Sequence, residues 1–192
     1  MILLPTSFCP TVGYLSVIAQ NEGEVAVNLS EPYRKQTLRN RALFMTDSGI
    51  TPFTIPVAKY PNPAPSVSEI LISEHGDWRH KLEHTLRSGY GGTPFWEHYE
   101  PEILALIHNR ETANLTEYNA LWLSWLCNKW ELTPPTLLPG ETTATSLSLE
   151  ELAGLPFPPY WQIFQEKRGF TNGLSALDLL LSEGPYAVTL LL

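Results

Sequence analysis

Cysteine is scarce in this 192-residue chain, which has Cys9 and Cys127 and no others. Two thiols cannot build a disulfide framework, so a reducing cytoplasm is the expected setting. Cys9, between Phe8 and Pro10, reads either as a reactive thiol or as an ordinary buried cysteine. Cations are scarce as well: 12 Lys and Arg against 20 Asp and Glu give a net charge of −8. A nonspecific nucleic-acid binder needs the opposite balance, so nucleic acid is not an expected partner. Long apolar runs are missing. Val188–Leu192 and Ile103–Ile107 fall far short of the ~18–20 residues that span a bilayer, so no membrane insertion is expected. The opening Met1–Pro5 has no basic n-region, so no secretory leader is expected. Walker A, G-x-G-x-x-G, G-x-S-x-G and Cys-x-x-Cys patterns are absent too, and with them the usual P-loop, dinucleotide, hydrolase and zinc-ribbon readings. No cofactor is called for.

Proline is what the chain has in excess. There are 17, roughly 9% against about 5% in ordinary usage, which demands short, interrupted elements and excludes a helical bundle. A hydrophobic share of 43% is enough for one core, and the length suits a single domain over residues 1–192.

Ile2–Leu4 reads as a short strand, Val12–Gln20 has helix spacing, and Val25–Leu29 alternates as a second strand. That order predicts a βαβ unit with a right-handed crossover. Arg41–Met45 and Phe53–Val57 predict a hairpin about Asp47-Ser48-Gly49, and Ile70–Ile72 a further strand. A helical middle region follows: one helix capped by Asp77, one with Pro101 in its first turn, and one from Thr116 to about Trp130. Leu132–Tyr160 is Pro-rich and reads as irregular. The end reads as a helix over Leu174–Leu181 capped by Asn172, then a buried strand over Ala187–Leu192. The fold class is therefore α/β, with α+β as the alternative.

Four of the twelve cations, Arg34, Lys35, Arg39 and Arg41, fall within eight positions. If Tyr33–Arg41 is extended, a period of two puts Tyr33, Lys35, Thr37, Arg39 and Arg41 on one face, a cradle for phosphate or carboxylate. The plain alternative is a solvated face with Glu31 as partial counter-ion. Tyr14, Tyr33, Tyr90 and Trp96 can form an aromatic wall for a sugar ring or simply fill the core. His98, between Glu97 and Tyr99, is a candidate general base. His80, Glu83 and His84 spell H-x-x-E-H, a zinc-hydrolase pattern that lacks an evident third ligand, so no metal is expected and a solvated helix face is preferred. Asp178 sits in a run of leucines and is expected to bond backbone groups of the preceding loop.

Tyr33-Arg34-Lys35-Gln36-Thr37-Leu38-Arg39-Asn40-Arg41 resembles the Tyr-x-Lys-Gln-Thr-x-Arg-Asn-Arg signature of the WbqC-like family, bacterial proteins associated with O-antigen and related polysaccharide clusters. Pro5–Leu15, Thr54–Val57, Trp78, Tyr90, Thr93–Tyr99, Leu174–Leu180 and Glu183–Pro185 resemble other family segments in the same order. Three positions depart from the pattern: Cys9 replaces one of the usual prolines, Leu15 the usual Phe, and Leu82 stands where the family leads one to expect His. The resemblance implies a role in surface-glycan assembly, as a transferase of an acyl or aminoacyl group to an activated sugar. Its ligand would be an anionic small molecule such as a nucleotide-sugar or acyl donor, held by Lys35, Arg39, Asn40 and Arg41 with Tyr14, Tyr33 and Tyr90. A noncatalytic sugar-phosphate binding or scaffold protein is the alternative, and a metal-dependent hydrolase the third reading. The oligomeric state is left open.

Overall fold

A computed structural model describes residues 1–140 and 145–192. Strand β1 (Ile2–Pro5) pairs in parallel with β2 (Val25–Asn28), Ile2 opposite Val25 and Pro5 opposite Asn28, and helix α1 (Val12–Gln20) crosses between them. The predicted βαβ unit is therefore present. Two short strands complete an all-parallel sheet of order β5-β2-β1-β6, with β5 at Thr136–Leu138 and β6 at Thr145–Ser146. The first three residues of β2 and the last three of β1 are buried, the continuous apolar run of strands covered on both faces. Both outer strands come from the Pro-rich segment expected to be irregular. Three- and two-residue strands are too short for periodicity to mark them.

Helix α1 is capped by Thr11, whose hydroxyl accepts the Tyr14 N–H, and is buried from Val12 to Ala19. Its Gly13 lies against α5 (Leu149–Gly154): a Cβ there would stand 2.2 Å from the Leu152 carbonyl oxygen. Gly13→Ala should therefore destabilise the fold. The gain of about 1 kcal/mol in helix propensity is outweighed by overpacking against backbone, which typically costs about 1–3 kcal/mol. Urea unfolding that gives an equal or higher midpoint would refute this close approach.

The predicted hairpin is β3 (Arg41–Thr46) paired with β4 (Gly49–Thr54). Its second strand begins several residues earlier than Phe53, because the two-residue loop Asp47-Ser48 sets Thr46 opposite Gly49, which has φ +108°. Ile70–Ile72 makes isolated bridges to Val57 and Asn114 rather than a strand.

Helices α2 (Trp78–Tyr90), α3 (Trp96–His108) and α4 (Leu115–Lys129) form the middle region. Asp77 precedes α2 without a side-chain capping bond. Pro101 lies inside α3, not in its first turn. The carbonyl its missing N–H leaves free belongs to Glu97, and both residues are exposed, so the break falls on the solvent side of the helix. After the short α6 (Gln165–Arg168), α7 runs Ala176–Glu183 with Ser175 as its cap, so Asn172 is not the capping residue. The expected C-terminal strand is instead a 3₁₀ turn (Gly184–Ala187) and helix α8 (Val188–Leu191), docked on α1 with Gln20 Nε2 donating to the Leu191 carbonyl at 3.1 Å. A short apolar run fits helix and strand equally well, and here the docking partner is a helix. The fold is α/β. Among the described residues, no helix is long and apolar enough to cross a membrane.

Candidate functional site

In parallel sheets, ligands bind outside the carboxyl ends of the strands, and here Thr6 and Ser7 leave β1 at that edge while Leu29 to Asn40 leaves β2 and folds across it. The fold-over is stitched in place. Phe8 N–H donates to the Leu38 carbonyl at 3.0 Å and Ser7 Oγ donates to it at 3.2 Å. Asn119 of α4 donates from Nδ2 to the Arg39 carbonyl at 2.8 Å and to Thr6 Oγ1 at 3.1 Å. A small cleft of about 10 Å³, room for a single water, remains, lined by Thr6, Ser7, Tyr14, Thr116, Asn119 and Leu137. Tyr14 donates its hydroxyl to the Pro5 carbonyl at 3.0 Å. Burial raises the Tyr14 phenol far above its ordinary value, with Cys127 and Glu31 adding to the effect, so it stays protonated.

The basic strip does not lie flat. Backbone turns run through it, with Gln36 at φ +58° and Asn40 N–H donating to the Thr37 carbonyl, so the expected alternating face does not form. Arg39 is turned inward, its side chain 8% exposed. Its guanidinium grips Glu31 through two nitrogens, Nε at 3.0 Å from Oε1 and the second on Oε2. A third nitrogen donates to Thr37 Oγ1 at 3.2 Å. Lys35 is turned outward, its ammonium 5.1 Å from the centre of the Tyr60 ring, and Tyr33 packs edge-on against the same ring at 5.3 Å. Burial, and then Tyr60, push the Tyr33 phenol up to about 12 against the opposing pull of Arg39. Asn40 donates from Nδ2 to the Ile55 carbonyl at 2.8 Å, and Arg41 Nε to Thr54 Oγ1 at 3.0 Å, so both hold the hairpin. Lys35 and Arg34 are the exposed cations of the strip.

The other candidates lie apart from this edge. Tyr90 is fully buried and accepts the Met45 N–H at 2.9 Å. Trp96 is buried too, so Tyr14, Tyr90 and Trp96 fill the core rather than present ring faces to a sugar. His98 is exposed on α3, edge-on to Tyr99 at 4.6 Å and beside Glu102. Glu83 accepts from His108 at 2.8 Å and from Arg87 at 3.1 Å, His80 faces Asp77 at 2.7 Å, and His84 points to solvent. Among the described residues, no three His, Cys, Asp or Glu side chains are placed to hold a metal. Leu82 is a core residue with no exposure, and Cys9 is buried with its thiol pushed well up by desolvation, an inert setting.

Sequence reasoning missed Thr6, Ser7 and Asn119, because nothing local ties a helix asparagine to a loop eighty positions earlier. It also misplaced Asp178. This carboxylate is fully buried and accepts Tyr160 Oη at 2.6 Å and Gln162 Nε2 at 3.0 Å, side chains rather than backbone groups.

The Lys35–Arg41 strip and the residues beneath it lie within residues 6–155, which match the model of the WbqC-like protein family. The chain belongs to that family. The matched span holds α1, the strip and three of the four strands of the parallel sheet, β1 lying just before it. The Leu174–Pro185 segment, and with it Asp178, lies beyond the match. No curated protein and no solved structure matches this WbqC-like chain.

Proposed function

We propose that this WbqC-like protein acts in surface-glycan assembly, transferring an acyl or aminoacyl group to an activated sugar, with an anionic group of the donor or the nucleotide-sugar held at the carboxyl edge of β1 and β2. The observation that carries the reading is the split of the basic strip. Arg39 is neutralised by Glu31 and fixes the backbone, while Lys35 and Arg34 stay exposed above it. Lys35 supplies a point charge already resting on Tyr60, so a phosphate or carboxylate meets a partly ordered cation. The hydroxyls of Thr6, Ser7 and Thr116 surround a water-sized cleft at the same edge. His98 has no part in this reading, since no hydrogen bond joins it to the strip among the described residues.

Lys35→Ala tests it. Because Lys35 is exposed, the variant should melt as the wild type does without ligand, yet lose at least tenfold in protection by a UDP-amino sugar or an acyl-coenzyme A, measured by thermal shift at low salt. Equal protection of both proteins would sink the anion site. A noncatalytic sugar-phosphate binding role is the second reading, favoured by the core Leu82 at the position where the family leads one to expect His. Mass spectrometry of the incubated sugar separates the two: an acyl mass gain supports transfer, and protection without gain supports binding alone.

A further inference from the structure

Of the two large aromatics exposed in the C-terminal region, Tyr186 and Trp161, Trp161 lies at two hollows. It is 42% exposed and lines two adjoining hollows, of about 530 and 210 Å³. Gln165 lines both as well, so the two hollows meet at Trp161 and Gln165. The larger volume falls in the range of roughly 300–1,000 Å³ that takes small-molecule ligands, and the smaller adds to it.

The backbone here is anchored. The Trp161 backbone N–H donates to Glu183 Oε1 at 2.9 Å, which ties this stretch to the end of α7. The neighbouring Tyr160 is buried and donates to the buried Asp178 at 2.6 Å, while Gln162 N–H donates to Gln165 Oε1 at 3.2 Å. The groups left at the rim are one carboxylate oxygen of Glu183, the amide N–H groups of Gln165, and the side chains of Glu166 and Lys167. An exposed aromatic face ringed by acceptors and donors matches the two surfaces of a pyranose, an apolar C–H face and a rim of hydroxyls. Two carboxylates against one ammonium disfavour phosphate or an acyl-coenzyme A here, which separates this place from Lys35. A protein strand finds no described sheet edge at these hollows to extend, the described strands lying elsewhere.

We infer that Trp161, Glu183 and Gln165 form a saccharide-binding platform that takes an uncharged oligosaccharide against the exposed indole. The platform lies on residues 156–192, beyond the family match, and does not depend on the anion site or on catalysis.

The test is titration of the full chain with three neutral probes, N-acetylated chitotriose, maltotriose and mannotriose, followed by tryptophan emission and saturation-transfer NMR. At least one should bind saturably. Trp161→Ala should weaken that binding at least tenfold, Trp161→Tyr should restore most of it, and Lys35→Ala should leave it unchanged. Trp161→Ala should also melt as the wild type does, which shows that the loss is not unfolding. Failure of all three probes to bind overturns the platform, and so does binding that survives Trp161→Ala. So does a self-association in sedimentation that Trp161→Ala abolishes, because the indole is then covered by a second copy.

Discussion

Replacing Asp178 with Asn is expected to flatten the dependence of stability on pH between about 4 and 7. The carboxylate is fully buried and its neighbours are uncharged donors: Tyr160 and Gln162 on Oδ2, with Tyr90 close by. Among the described residues, Oδ1 has no partner. Glu183, facing Tyr160, adds a second negative charge to the neighbourhood. Burial raises the Asp178 carboxyl to about 6, and the three donors pull it back only in part. The folded protein therefore holds a proton that the unfolded chain has released. The stabilisation is fully present below the ordinary aspartate value and is lost as pH rises through about 6. The rise of about two units corresponds to roughly 3 kcal/mol at most between the two ends of that window. Carboxylates held low by hydrogen bonds, such as Glu74 bonded by Arg79, run the other way and lose their contribution as pH falls. The informative quantity is thus the difference between wild-type and variant curves, read by urea unfolding at pH 4, 5, 6 and 7. Parallel curves would mean that Asp178 is charged throughout and the burial argument fails.

Arg39→Ala should cost about 2–4 kcal/mol, far more than loss of any exposed cation in the strip. Removing the guanidinium strands Glu31, whose side chain is 18% exposed, and an abandoned charge in a buried pair costs more than the pair itself contributes. Lysine cannot restore the two-point grip, so Arg39→Lys should recover only part of the loss. The double variant Glu31→Ala, Arg39→Ala should be more stable than Arg39→Ala alone, because no charge is then left behind. Denaturant unfolding of the three proteins measures this. A loss below about 1 kcal/mol in Arg39→Ala would place the pair among ordinary surface ion pairs. The contrast with Lys35→Ala follows from placement: Arg39 is buried and paired with Glu31, while Lys35 is exposed.

Much of the frame was legible from local pattern. Val12–Gln20 between two apolar strands implied the βαβ unit, Asp47-Ser48-Gly49 implied the hairpin, and the scarcity of cations singled out one basic strip. Errors gathered where runs were short or the deciding partner was remote. Ala187–Leu192 became helix because its neighbour is α1, and β5 and β6 were invisible at three and two residues.

By itself the sequence determined composition, the order of the longer elements and the concentration of positive charge after β2. These depend on periodicity and residue type within a few turns of chain. Which cations turn inward was decided by the tertiary structure. Arg39 is buried because its guanidinium finds Glu31 and its carbonyl finds Asn119, while Lys35, four residues earlier, stays exposed above Tyr60. Partner choice depends on which distant groups the fold brings within hydrogen-bond reach, and no local spacing encodes that distance.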